Sequence, residues 1–258
     1  MNEAQLKQAN LYNLTALWTL MGARPCDIAG LADGRISLAW PNRCWFDYEL
    51  NMNSLSSLMQ GLEHSQKDVI IPIYAQADND TDKFSDLIIR NGFSVISLQT
   101  AMYLDLNAYA RANTAPNMTV REEVELQQIT SLEDILVWTD IASRAFAYVI
   151  DESVIIRAAS NADVRLYLLS VDQQAVATAM IFLSHDVIGL HQMGVLPEYR
   201  GRGLASHLMG KVIAGCDGLR GRYITLQASA AAESLYRRLG FKKQFMITNY
   251  QRLAKRSI

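Results

Sequence analysis

Between Arg165 and Ala214 the sequence runs through three strand patterns, a proline, a turn with two glycines and a helix, an order that few folds accommodate. Leu166 to Val171 reads as a strand, Asp172-Gln173-Gln174 as a turn, and Ala175 to Leu183 as the returning arm of an antiparallel hairpin. Ile188 to Val195 is a third strand. After Pro197 come Gly201 and Gly203 and a helix from about Leu204 to Ala214. A β-rich run from Tyr223 to Gln227, a helix from Ala231 to Leu239 and a strand from Phe245 to Tyr250 complete the series. Upstream, Val124, Leu126 and Gln128 alternate. Thr130 or Ser131 then caps an amphipathic helix carrying Leu132, Ile135, Leu136 and Ile141, and a short helix covers Glu152 to Ala159. The pattern is that of an α+β domain with a mixed sheet.

A stretch of small and polar residues from Asn107 to Met118, with Pro116 near its end, interrupts the hydrophobic pattern. It divides the chain into residues 1–110, a linker at 111–118 and residues 119–258. In the first part Leu6 to Met21, Leu55 to Leu62 and Phe84 to Arg90 have helical spacing. Arg35 to Trp40, Trp45 to Tyr48, Val69 to Tyr74 and Ser94 to Leu104 read as strands. The end of this part echoes the end of the second. Leu87 to Phe93 can be laid over Leu235 to Phe241, each a helix closed by glycine and followed by a strand.

Lysine and arginine number 24 against 26 acidic residues, a net charge of −2, so no overall basic field invites nucleic acid or an anionic membrane. Cys26, Cys44 and Cys216 form no CxxC pair, and the histidines have no metal-ligand spacing, so neither a disulfide framework nor a metal site is expected. The polar N-terminus and the lack of a long apolar run point to a soluble cytoplasmic protein.

The chemistry concentrates in Leu190 to Ala205, which reads strand, turn, helix. Gly201 and Gly203 allow close approach of backbone to ligand, and the following helix offers unpaired N–H groups and the positive end of its dipole. Arg200 and Arg202 add mobile positive charge, so a phosphorylated ligand is expected. No Gly-Lys-Ser/Thr follows and no βαβ unit with a later acid is present, which removes the P-loop and dinucleotide alternatives.

Arg200-Gly201-Arg202-Gly203-Leu204-Ala205 resembles the R/Q-x-x-G-x-G/A signature of the GNAT (GCN5-related) N-acetyltransferases, and Leu235-Tyr236-Arg237-Arg238-Leu239-Gly240-Phe241 resembles the family's Leu-Tyr-x-x-x-Gly-Phe helix. The resemblance covers about residues 120–252. It implies a GNAT acyl-CoA N-acyltransferase fold, a mixed, mostly antiparallel sheet flanked by helices; if the echo at Leu87–Phe93 is a true repeat, a smaller α/β GNAT-like domain that has lost the signature turn precedes it. It implies acetyl-CoA as cosubstrate, bound by Met193, Gly194, Val195, the turn from Arg200 to Ala205, and Ser229 at a position the family commonly gives to asparagine. Ser229 is expected mainly to cap the next helix. A primary amine would attack the thioester directly through a tetrahedral intermediate held by a backbone amide of the 193–195 segment, so Cys216 need not be a nucleophile. Tyr236 occupies the place of the residue that protonates the departing thiolate, and His191 that of a base or holder of water. Gln192 faces substrate or solvent. Asp151 and Glu152 attract the amine or merely begin a helix.

With Ile88 in the place of Tyr236, the first part would be structural or would wall off the acceptor pocket, with Trp40, Trp45, Phe46 and Tyr48 as aromatic candidates. Two other roles fit the same motifs: an acyl-CoA sensor without turnover, and an acyltransferase for another acyl-CoA. The acceptor amine is unidentified, and a homodimer paired across a sheet edge is one arrangement open to the chain.

Overall fold

A computed structural model describes residues 1–26, 34–46, 51–65, 69–74, 80–112, 123–216 and 218–252. In chain order the elements are α1 (Glu3–Leu20), β1 (Arg24–Pro25), β2 (Gly34–Ile36), β3 (Cys44–Phe46), α2 (Met52–Ser65), β4 (Ile71–Tyr74), α3 (Asp80–Arg90), β5 (Phe93–Asp105) and α4 (Leu106–Ala112). There follow β6 (Val124–Ile129), α5 (Leu132–Phe146), α6 (Glu152–Ala159), β7 (Val164–Val171), β8 (Gln174–Ser184), β9 (Val187–Val195), a 3-10 turn (Pro197–Tyr199), α7 (Leu204–Gly215), β10 (Tyr223–Ser229), α8 (Glu233–Arg238) and β11 (Lys242–Arg252).

Local chemistry sets these boundaries. Asn2 and Gln5 form a reciprocal capping box at the start of α1. Ser131 caps α5 by accepting from the Asp134 amide, and Asp151 caps α6 by accepting from the Ser153 amide. The same Asp151 oxygen also accepts from the Ser153 hydroxyl. The β7–β8 hairpin turns through Asp172 and Gln173, with φ of 48° and 67°, a left-handed pair that matches the twist of the two strands. The run from Arg35 to Trp40, expected as one strand, keeps strand geometry only to Ile36. It then enters a turn in which the Trp40–Pro41 bond is cis and Asn42 has a φ of 55°. Tyr48 and the expected linker, apart from Arg111 and Ala112 at the end of α4, lie outside the described residues.

Eight strands form one sheet in the order β4-β11-β5-β10-β9-β8-β7-β6, and β1-β2-β3 form a small second sheet. All neighbours in the large sheet are antiparallel except β9 and β10. The sheet crosses the division seen in the sequence, because β5 from the first part lies between β11 and β10 of the second, while β11 lies between β5 and β4. The register explains this interleaving. Moving by 148 residues, the step from Phe93 to Phe241, converts the pair Tyr103↔Lys242 into Gln251↔Ser94, Met102↔Lys243 into Tyr250↔Val95, and Ala101↔Phe245 into Asn249↔Ser97. Even the two register shifts exchange places. The units β4–α3–β5 and β10–α8–β11 are therefore one motif used twice, each pairing its first strand with the other's last strand. The glycines that close the two helices, Gly92 and Gly240, share left-handed torsions, with φ of 82° and 91°.

Helices cover both faces. Leu14, Leu17 and Trp18 of α1 join Ile135 and Trp138 of α5 and the apolar side of α6 in one core. Leu204, Leu208, Met209 and Val212 of α7 lie with Tyr236 in a second, and α2 and α3 pack with β4 in a third. Two asparagines interrupt the apolar stripe of α1, and both are fully buried and hydrogen-bonded. Asn10 donates to the Met102 carbonyl and Gln244 and accepts from Gln227. Asn13 donates to the Phe182 carbonyl and the Ser184 hydroxyl. These bonds dock an N-terminal helix onto strands from the far end of the chain.

Candidate active site

The parallel pairing of β9 and β10 ends at Gly189 and Thr225. Beyond it Leu190–Val195 and Leu226–Ser229 diverge and open a wedge in the sheet. On the β8 side of the wedge, Gln192 and Met193 together face Ala179, a bulge in which Gln192 has a φ of 47° and its carbonyl accepts from Thr178 Oγ1 at 3.0 Å. No glycine marks this bulge, so the sequence carries no signal for it. Gly194 sits where a Cβ would press within 3.0 Å of Ala145 and Phe146 at the end of α5. Val195, just beyond, is buried.

The signature turn follows. Gly201 and Gly203 have φ of 78° and 81°, and a Cβ on either would meet nothing within 4 Å. Backbone torsion and open space above it therefore account for both glycines, not packing. Gly203 is the N-cap of α7 and supplies no side-chain cap, which leaves the first amides of the helix, including those of Leu204 and Ala205, to a ligand or solvent. The Leu204 side chain is buried beneath the turn. The expectation for Arg200 is corrected. Its guanidinium is fixed, with Nε on the Val195 carbonyl at 3.0 Å and Nη2 on the Ala145 carbonyl at 2.6 Å, so it ties the end of β9 to the C-terminal carbonyls of α5. Arg202 lies over the Tyr199 ring at 4.8 Å and donates to the Glu198 carbonyl.

A cavity of about 600 Å³ occupies the wedge, bounded by Leu190 to Met193 on one side and Leu226 to Ser229 on the other. Tyr236 lines it from α8, donating its hydroxyl toward Met193 Sδ at 3.7 Å, and burial raises its pKa, so the phenol keeps its proton. His191 lines it too and is 8 % exposed. Because the Asn13 amide nitrogen is committed to two acceptors, its Oδ1 must accept from His191 Nε2 at 2.9 Å. This fixes the tautomer and leaves Nδ1 as the ring's lone-pair nitrogen. A side chain at Gly189 would overlap both Asn13 Oδ1 and His191 Nε2, so that glycine makes room for the bond.

Burial lowers the His191 pKa from 6.5 to about 4. An imidazole titrating near neutrality was the expectation, and the dry setting beneath α1 removes it. Ser229 lines the cavity but does not cap α8. The N-cap there is Ala232, without a side-chain bond, and only the Ser229 carbonyl is used, accepting from the Ala232 amide. Cys216 is buried with its thiol pushed up to about 12, unsuited to nucleophilic attack. Among the described residues no cluster of metal-ligating side chains occurs, and no helix is long and apolar enough to cross a membrane.

The first part of the chain supplies the remaining wall. Trp18, Trp40 and Arg43 line the cavity, whereas Trp45 is fully buried against Trp18, and Phe46 lies by a separate surface pocket. Asn13, Arg43 and the Gln192 bulge are the elements that sequence reasoning missed. Only Asn13 left a trace, as a polar residue on the apolar stripe of α1.

The geometry is that of an acyl-CoA N-acyltransferase fold with a splayed sheet, and the comparisons agree. The acetyltransferase (GNAT) domain family matches residues 162–243, within the C-terminal half. A GCN5-related N-acetyltransferase from Kribbella flavida superposes with a TM-score of 0.66 at 17 % identity, covering 96 % of this chain and 97 % of the other. One from Sphaerobacter thermophilus gives 0.58 at 16 % identity over 86 % and 77 %. A GCN5-related glucosamine N-acetyltransferase region of a fungal multi-domain GH3 β-N-acetylglucosaminidase gives 0.61 at 12 % identity over 96 % and 37 %. The fold of the described residues, including the interleaved first part, is thus GNAT-like. No curated protein matches the sequence.

Proposed function

We propose that the protein is an acetyl-CoA-dependent N-acetyltransferase that acylates a primary amine by direct transfer. The observation that carries this reading is the convergence of the Tyr236 hydroxyl, the His191 ring and the bulged 192–193 backbone on one cavity at the sheet opening, beside an uncapped helix N-terminus. A sensor needs only the turn. A buried phenol in the same cavity favours turnover.

Acetyl-CoA supplies the acetyl group as an activated thioester. The α7 amides and the glycine turn suit its pyrophosphate, since the turn offers both N–H donors and space. Met193, Gly194, Val195 and Ser229 flank the wedge where the pantetheine arm would lie, and the Met193 amide, at the bulge, is the candidate donor to the carbonyl oxygen as that oxygen gains charge. Nitrogen bonds to the carbonyl carbon, the C–S bond breaks, Tyr236 gives its proton to the sulfur that leaves, and the proton the nitrogen sheds in becoming an amide restores the phenol through solvent. With a pKa of about 4, His191 cannot hold a proton at neutral pH. Its Nδ1 instead accepts a hydrogen bond from the neutral amine and orients it, while the ammonium proton goes to solvent before attack.

Replacement of Tyr236 by Phe tests the assignment. The expected result is a fall in kcat of about 10²-fold with little change in the acetyl-CoA Kd. An unchanged kcat with measurable thiol release would remove Tyr236 from the chemistry.

A further inference from the structure

The acceptor side of the cavity holds a guanidinium with no counter-ion among the described residues. Arg43 is half-buried in the cavity wall, and burial lowers its pKa. Its Nη1 donates to Asn249 Oδ1 at 2.7 Å, its plane lies 4.8 Å from the Trp18 ring centroid, and its Nε is buried without a partner. No carboxylate among the described residues pairs with it, and no Asp, Glu or Lys is among the residues lining the cavity. Nε is closed to the cavity, so it is the free Nη2 edge that an incoming anion could meet, and a guanidinium withdrawn from water with no carboxylate beside it is costly until one does.

The position is built rather than incidental. Asn249 is itself 1 % exposed, and its amide nitrogen donates to Ser97 and Gln99, which aims its oxygen at Arg43. The loop carrying Arg43 is pinned on both sides: its carbonyl accepts from the Ser37 amide, and the Asn42 carbonyl accepts from the Ile70 amide. The phosphates of the cosubstrate do not explain the charge, because the α7 N-terminus to which they are assigned does not line this cavity.

We infer that Arg43 is a specificity residue that pairs with a carboxylate carried by the acceptor, so that the substrate class is a small amino acid, its amine toward His191 and Tyr236 and its carboxylate on the guanidinium. The inference rests on the transferase reading for its amine end only. A free ammonium entering a cavity whose one permanent charge among the described residues is a cation is disfavoured unless the same molecule brings an anion. Trp18, Trp40, Phe146 and Tyr148 around the space suit an apolar or aromatic side chain.

The test uses the full chain and three related amines: phenylalanine, its amide and phenethylamine, each with acetyl-CoA and a free-thiol readout. Phenylalanine should exceed phenethylamine in kcat/KM by about 10²-fold, expressed mainly in KM. Arg43→Gln should collapse that ratio toward one, and Arg43→Lys should restore part of it. The corresponding aminophosphonate separates recognition of a carboxylate from recognition of any oxyanion, and transfer to it as good as to phenylalanine would overturn the carboxylate assignment. Binding of phenylacetate, followed by calorimetry without turnover, should weaken about 10²-fold in Arg43→Gln. If no amine releases thiol yet phenylacetate binds through Arg43, the transferase reading fails and the anion site stands. If phenethylamine is acetylated as well as phenylalanine, the transferase stands and the role of Arg43 is refuted, whether or not its variants fold.

Discussion

The depressed pKa of His191 has a measurable consequence for stability. In the folded protein the ring stays neutral down to about pH 4, whereas in the unfolded chain it takes a proton near 6.5. Above pH 6.5 both states are neutral and the group contributes nothing to the pH dependence. Below it only the unfolded state gains a proton, so stability is lost as pH falls, at about 1.4 kcal/mol per pH unit until the folded ring also titrates. The loss amounts to about 2 kcal/mol at pH 5 and roughly 3 kcal/mol at pH 4. Replacing His191 by Gln keeps a polar group beneath α1 and removes the titration. Urea unfolding followed by tryptophan fluorescence, at pH 7.5, 6.0 and 5.0 on both proteins, isolates the term, because all other groups contribute to both. The wild type should lose about 2 kcal/mol relative to the variant between pH 7.5 and 5.0. A difference that stays constant with pH would show that the ring is not held neutral by burial, and with it the assignment of Nδ1 as the free lone pair would fail.

Other outcomes follow from the same geometry. Gly203→Glu places a side chain at a φ of 81° and a carboxylate over the α7 amides, and should abolish acetyl-CoA binding by calorimetry. Gly189→Ala, which a Cβ would drive into the Asn13–His191 bond, should cost about 1–3 kcal/mol in urea unfolding and lower kcat. Residues 119–258 expressed alone should lack a cooperative unfolding transition, since β10 and β11 both lose β5 as a neighbour.

Much of the second part was legible because its signals are local. The Ser131 cap, the Asp172-Gln173 turn and the glycine closures at Gly92 and Gly240 each fix a boundary through the few residues around them. The echo between Leu87–Phe93 and Leu235–Phe241 was visible for the same reason. What it could not reveal is the exchange of strands between the two units. That depends on pairing of Ala101 with Phe245 and with Gln227, residues more than a hundred positions apart, and an alternating strand offers the same face to either partner. The site divides in the same way. The turn around Gly203 and the tyrosine of α8 were readable as spacing, whereas Asn13 and the neutral state of His191 arise only when α1 packs over β9, and the place of Arg43 only when its loop packs beside Ile70 and Asn249. Arg200 was misjudged as mobile charge because only the folded chain shows the Val195 and Ala145 carbonyls converging on it.

The most direct test of the central claim is titration of the purified 258-residue chain with acetyl-CoA, followed by a free-thiol assay across amines. Saturable binding, with thiol released only when an amine is present and N-acetylated product confirmed by mass, is the predicted result; absence of binding, or binding with no amine-dependent release on any acceptor, would contradict the transferase.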